Sequence, residues 1–108
     1  MRWTIGAGVL PETTARYAIT GMTKAAAADY GRQSIRVNAI APASTRTPLY
    51  LHYLKTKPDH EERVNGLHLP GRASEPIAQA QAAMCLLSDA ASFVTGVTLP
   101  LDGGYTAV

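Results

Sequence analysis

Four groups of residues in this chain of 108 have types and spacings that bear on chemistry. Gly6-Ala7-Gly8-Val9-Leu10-Pro11 places two glycines together, the composition of a loop whose backbone N–H groups approach a phosphate. Pro11 stands where such a loop needs a third small residue, and no strand–helix–strand unit follows. The pair therefore reads as a loop former. His52, His60 and His68 recur at eight-residue intervals, but no Asp, Glu or Cys pattern joins them into a metal-ligand set. They are expected on the surface, and no metal is expected. Cys85 is the single cysteine, which excludes an internal disulfide and a multi-cysteine zinc site. Its Ala/Leu-rich surroundings predict a buried structural thiol. The fourth group is the polar loop Ala43-Ser-Thr-Arg-Thr-Pro48, which follows an apolar run.

These groups depend on the elements that position them. Residues 15–31 read as a helix, with Thr13 or Thr14 as the cap and Gly31 as the stop. Ala18, Met22, Ala25 and Ala26 share one face at i, i+4, i+7 and i+8. Side chains so small let another backbone approach closely, on a sheet or a partner subunit. Residues 35–41, apolar on both faces and ended by Pro42, predict a buried parallel strand. Arg36 and Asn38 are expected to organise backbone hydrogen bonds around it. Tyr50, Leu51, Tyr53 and Leu54 predict a short amphipathic helix broken by Pro58, with a second helix over 59–65. A polar, proline-broken connection of this length has the character of a lid. Residues 74–87 predict another helix, with Ser74 as N-cap, Glu75 at the positive dipole end and Pro76 in the first turn. Its expected buried stripe is Ala80, Ala83, Met84 and Leu87. Residues 94–101 predict a strand, and Asp102-Gly103-Gly104 a turn. Residues 1–15 form an atypical segment in which Gly6, Gly8 and Pro11 interrupt a strand-like composition. The order helix–strand–lid–helix–strand is an α/β pattern with parallel pairing.

Composition bounds the function. With 46% apolar and 17% charged residues, wholesale disorder is excluded. A chain of this length buries about two-thirds of its unfolded surface, which suffices for one small core and not for two domains. Ten basic against eight acidic residues give no dense cationic stripe, so nucleic acid is not an expected partner. No run approaches the roughly eighteen apolar residues of a membrane span, and no signal-peptide layout is present. A cytoplasmic location is the expectation.

Taken together, several blocks resemble the short-chain dehydrogenase/reductase family. They are Tyr17-Ala-Ile-Thr-Gly-Met-Thr-Lys-Ala-Ala-Ala-Ala-Asp-Tyr-Gly31, Ile35-Arg-Val-Asn-Ala-Ile-Ala-Pro42, Thr47-Pro48, Gly71-Arg72, Glu75-Pro76, Leu87-Ser-Asp-Ala-Ala-Ser-Phe-Val-Thr-Gly96 and Leu101-Asp-Gly-Gly-Tyr105. The blocks keep the family's order across residues 16–108. The resemblance implies the C-terminal part of a Rossmann-type α/β domain: its C-terminal helices, its last two parallel strands and its lid helices. It implies hydride transfer between NAD or NADP and an alcohol or carbonyl. It also assigns Pro42, Ala43, Thr45 and Thr47 to the loop that meets the nicotinamide and pyrophosphate, with Ala43 replacing the usual glycine. The plainer reading of Thr47 is a helix cap.

Two family features are missing. The glycine-rich dinucleotide loop is absent, and so is the Tyr-x-x-x-Lys pair. Anchored on Gly21-Met22-Thr23-Lys24, the family's lysine position falls on Arg16 and its tyrosine position on Glu12, while the catalytic serine falls before residue 1. The chemistry needs a phenol whose pKa a neighbouring cation lowers, and a carboxylate does not replace it. Tyr53-Leu-Lys-Thr-Lys57 matches the bare pattern but lies in the lid, where a solvated amphipathic segment explains it. No catalytic residue is therefore expected in this chain. Gln79 takes a position that the family fills with an aliphatic residue.

The expected function is that of a truncated or separately encoded C-terminal portion of an NAD(P)-dependent oxidoreductase, inactive alone. The alternative is a non-catalytic module that forms a homo-oligomer, or docks on a full-length relative, through the helix at 14–31.

Overall fold

The computed structural model describes residues 10–108; the strand-like and glycine-pair readings of residues 1–9 lie outside the described residues. The described elements are α1 (Leu10–Tyr30), β1 (Ala39–Pro42), α2 (Pro48–Thr56), α3 (Asp59–Leu67), α4 (Pro76–Leu87) and β2 (Thr98–Leu101), with short 3-10 turns at Gly31–Gln33 and Asp89–Ala91. β1 and β2 pair in a two-stranded sheet. Ala39 N–H donates to Val97 O at 2.9 Å and Ala43 N–H to Leu101 O at 3.2 Å, so the partners advance in the same direction and the pairing is parallel. The α/β order and the parallel strands agree with the sequence reading.

The chain forms two compact units, one from the described residues up to 40 with 85–99, the other from 41–84 with 100–108. In the first unit, α1 begins at Leu10, well before the expected cap, and Thr13 and Thr14 lie inside it. Pro11 sits in the first turn, where its missing N–H costs nothing, and Glu12 is favoured at the positive end of the dipole. The inward face also differs from the expected stripe. Thr23 and Ala27 are buried and Thr20 is half-buried; of the expected stripe Ala26 is half-buried, while Ala18 and Ala25 are exposed and Met22 is 69% exposed. Thr23 donates its hydroxyl to Ile19 O at 2.8 Å, which satisfies its polar atom and leaves a methyl for packing. A count of apolar types alone passes over that face.

Arg36 and Asn38 organise the rest of this unit, as the sequence suggested. The Arg36 guanidinium donates to Leu86 O at 2.6 Å, Ser88 O at 3.0 Å and Val94 O at 3.4 Å. Asn38 donates to Val94 O at 2.9 Å and accepts from Val97 N–H at 3.2 Å. Gly96, at φ 73°, would place a Cβ 3.4 Å from Ala27 Cβ; its left-handed backbone, more than the space, calls for glycine.

In the second unit, Pro58 separates α2 from α3, as expected of the lid, and Val64 and Ala73 are its buried apolar residues. The start of α4 departs from expectation. Ser74 does not cap it: its Oγ donates to Glu75 O at 3.1 Å and accepts from Gln79 Nε2 at 2.9 Å. Along α4 as a whole, Gln79, Ala82, Ala83 and Leu86 are half-buried. Of the expected stripe only Ala83 is among them, since Ala80 is exposed and Met84 and Leu87 are 65% and 78% exposed. Cys85 is exposed rather than buried. A helix apolar on nearly every side gives periodicity no purchase on which side faces in.

Candidate functional site

β1 ends at Pro42, which has no N–H, and the chain turns directly into the loop 43–47. Ala43 N–H reaches Leu101 O, so the start of the loop is still held by the strand pair. Thr45 Oγ1 donates back to Ala43 O at 3.0 Å, and Thr47 N–H donates to Thr45 O at 2.7 Å. A parallel bridge pairs Thr45 with Ser74, through Arg46 N–H to Ser74 O and Ser74 N–H to Ser44 O, both at 2.9 Å. Thr47 Oγ1 accepts from Tyr50 N–H at 3.2 Å and caps α2, with Pro48 at the first helical position. The helix-cap reading of Thr47 is thus satisfied, and its hydroxyl proton is not spent on that bond. Pro42, Ala43, Thr45 and Thr47 lie together in one short, internally braced turn.

Charges brace the loop from outside. Arg46 pairs with Glu61 of α3 and, at 3.6 Å, with Glu75. The Glu61 hydrogen bond holds the Arg46 guanidinium above its ordinary pKa. Tyr50, next to the cap, has its phenol pushed up by burial.

The Glu12/Arg16 and Tyr53/Lys57 pairs, the two with a bearing on acid–base chemistry, have other occupations. Glu12 accepts from Arg16 Nε at 3.1 Å and Nη2 at 2.5 Å, an exposed i,i+4 ion pair along α1. Lys57 lies 5.3 Å from the Tyr53 ring centroid, over its π face, and Tyr53 packs edge-on against His60 at 4.8 Å. Neither arrangement sets a phenol oxygen beside a cation.

The histidines separate by environment. His52 is exposed and His60 half-buried against Tyr50 and Tyr53. His68, expected at the surface, is only 7% exposed, with Nδ1 at 2.7 Å from Asp102 O. Among the described residues no cluster of His, Cys, Asp or Glu could hold a metal ion. The Asp102 turn is as its composition suggested. Its carboxylate accepts from Thr106 Oγ1 at 2.6 Å, Thr106 N–H at 3.1 Å and Gly104 N–H at 3.0 Å. The Thr106 hydroxyl bond, reinforced by these amides, holds the carboxyl below its ordinary pKa.

Sequence reasoning singled out Gln79, which is half-buried, but missed the burial of His68. Gln79 donates to Ser74 Oγ and, at 3.3 Å, to Leu101 O. Its place among aliphatic residues was the available signal; for His68 the sequence offers none.

Parallel α/β order, a braced loop at the carboxyl end of β1 and two short helices beyond it are those of part of a Rossmann-like α/β fold. A family model described as enoyl-(acyl carrier protein) reductase matches residues 8–106, and the chain belongs to the short-chain dehydrogenase/reductase family. It is 52% identical over 94 residues to the 2,5-dichloro-2,5-cyclohexadiene-1,4-diol dehydrogenase of Sphingobium indicum, covering 87% of this chain and 38% of that protein. It is 41% identical over 93 residues to the cyclohexanol dehydrogenase of an Acinetobacter species, covering 86% and 35%. A short chain dehydrogenase family protein of Francisella tularensis superposes at TM-score 0.87 with 29% identity, covering 98% of this chain and 47% of that one. ElxO with NADP bound superposes at TM-score 0.81 with 25% identity, covering 88% and 38%. The chain thus spans a little over a third of the length of these curated relatives.

Proposed function

We propose that this chain is the C-terminal portion of an NAD(P)-dependent dehydrogenase acting on an alcohol borne by an alicyclic ring, and that it does not turn over alone. The braced turn 42–47 carries the reading: it collects Pro42, Ala43, Thr45 and Thr47 at the carboxyl end of a parallel strand. These residues suit the nicotinamide side of a dinucleotide, with the Thr47 hydroxyl proton available to a pyrophosphate oxygen. The cofactor, when bound, accepts or supplies the hydride. The two relatives named for six-membered-ring alcohols support the substrate class. Oxidising an alcohol also requires a base for the hydroxyl proton. Among the described residues Glu12 is ion-paired with Arg16 and Tyr53 packs edge-on against His60, which supports assigning the acid–base groups to another part of the enzyme.

Saturation-transfer NMR with NADH tests the reading. The nicotinamide protons should receive magnetisation from the protein, the adenine protons should not, and Thr47→Val should abolish the transfer. Tight, saturable binding of the whole dinucleotide, or turnover of cyclohexanol by this chain, would overturn it.

A second reading, pairing with another copy or a full-length relative through α1, is favoured by Ile19 and Met22, both exposed on that helix. Sedimentation of a concentration-independent monomer would remove the self-pairing form.

A further inference from the structure

Arg46 is the only charged residue of the turn 42–47, and it lies between Thr45 and Thr47, two of the residues assigned to the dinucleotide. A guanidinium in that place invites the reading of a phosphate contact. Its partners point elsewhere: the side chain pairs with Glu61 of α3 and, at 3.6 Å, with Glu75, which directly precedes α4. One cation against two carboxylates leaves no net attraction for an anion. We propose that Arg46 is a positioning residue, which holds Thr45 and Thr47 in place and touches no part of the dinucleotide. The proposal rests on the dinucleotide reading of the turn and goes beyond it by naming what sets the turn.

Three connections within the second unit close into a circuit around the turn. Thr47 Oγ1 accepts from Tyr50 N–H and ties the turn to α2. Tyr50 and Tyr53 of α2 pack on His60 of α3, at ring-centroid distances of 6.1 and 4.8 Å. Glu61, the next residue of α3, closes the circuit on Arg46. A further connection runs to the segment before α4. Arg46 N–H donates to Ser74 O and Ser74 N–H to Ser44 O, both at 2.9 Å, and Gln79 reaches back to Ser74 Oγ at 2.9 Å. Arg46 alone among the residues of the turn contributes to both the circuit and this connection. Isolated surface ion pairs do little, but Arg46 and Glu61 are half-buried, and their backbones are already held by other bonds. Pairing therefore costs little further order, and the three charges act as a network.

The two roles for Arg46 predict opposite signs. If the guanidinium served a phosphate, Glu61 would compete for it, and Glu61→Gln would strengthen binding. If Arg46 positions the turn, Glu61→Gln loosens Thr45 and Thr47 and weakens binding.

The test uses the full chain with NADH as the probe, read by amide hydrogen exchange without cofactor and by saturation transfer to the nicotinamide protons. Arg46→Met should accelerate exchange severalfold at Thr47, Tyr50 and Ser74. Leu69 and Gly104, in the same unit but bonded to Gly103 O and Asp102, should be unchanged. Transfer to the nicotinamide should fall with it. Glu61→Gln should act in the same direction more weakly, since Glu75 remains, and Arg46→Lys should recover part of both losses. In a Glu61→Gln/Glu75→Gln background Arg46→Met should add little, because the partners through which it acts are gone. Unchanged exchange at Thr47, Tyr50 and Ser74, equal acceleration at Leu69 and Gly104, or stronger transfer in Glu61→Gln would each overturn the proposal. So would loosened amides with undiminished transfer. Absence of transfer in the unaltered chain would instead overturn the dinucleotide reading itself, and it is seen without any substitution, so the two failures are distinct.

Discussion

Replacing Arg36 by methionine keeps the aliphatic stem and removes a guanidinium that bonds three carbonyls: Leu86 O at 2.6 Å, Ser88 O at 3.0 Å and Val94 O at 3.4 Å. Only the Leu86 bond is part-buried, so it alone should count close to the full charge-assisted value, about 1.5–3 kcal/mol. The other two are exposed, and water replaces the lost donor, which leaves roughly a few tenths of a kcal/mol each. The expected loss is about 2–3 kcal/mol, or a roughly 30- to 150-fold fall in the folding equilibrium constant. Urea denaturation followed by far-UV circular dichroism measures it. Arg36→Lys should recover part of the loss, because an ammonium is a single point charge without the guanidinium fork. Amide exchange locates it: Gly96 and Ala39, which bond Val37 O and Val97 O, should accelerate more than Arg46 and Ser74 of the second unit. A loss below about 0.5 kcal/mol, or uniform acceleration across both units, would refute the assignment of Arg36 as the clasp of the first unit.

Two further outcomes follow from the turn after β2. Gly104→Ala should destabilise by roughly 2–4 kcal/mol, since φ is 80° and the new Cβ would run into Leu69 Cδ1 and lie 2.9 Å from Leu69 Cγ; an unchanged thermal midpoint would refute this. Asp102 is held below its ordinary value of 3.8, chiefly by the Thr106 hydroxyl. Its contribution is therefore full above that value and is lost as pH falls through the lowered one. Urea midpoints from pH 6 to pH 2 should drop at the acid end, and Asp102→Asn should flatten that drop; parallel curves for the two proteins would refute it.

The parts of this fold legible in sequence were those governed by local chemistry. Pro42, Pro48 and Pro58 punctuate the chain where strands and helices end or begin, Thr47 caps α2, and Asp102-Gly103-Gly104 turns. Facing was less legible. α1 turns Thr23 inward because an i−4 carbonyl satisfies its hydroxyl, and α4 is apolar on nearly all sides, so neither pattern marks the buried stripe. The site divides the same way. The loop 42–47 is contiguous and readable as a unit. The burial of His68 depends on Asp102, thirty-four positions later, and no local pattern carries that.

The Arg36 clasp joins residues 52 apart in sequence, with the lid and most of the second unit lying between its ends. The entropy of closing so long an excursion grows only with the logarithm of its length, so doubling it costs about 0.6 kcal/mol. The clasp accordingly tolerates insertions and deletions between its ends. Segments around Lys57 and Pro58 can thus be lengthened, shortened or exchanged at little thermodynamic expense to the first unit.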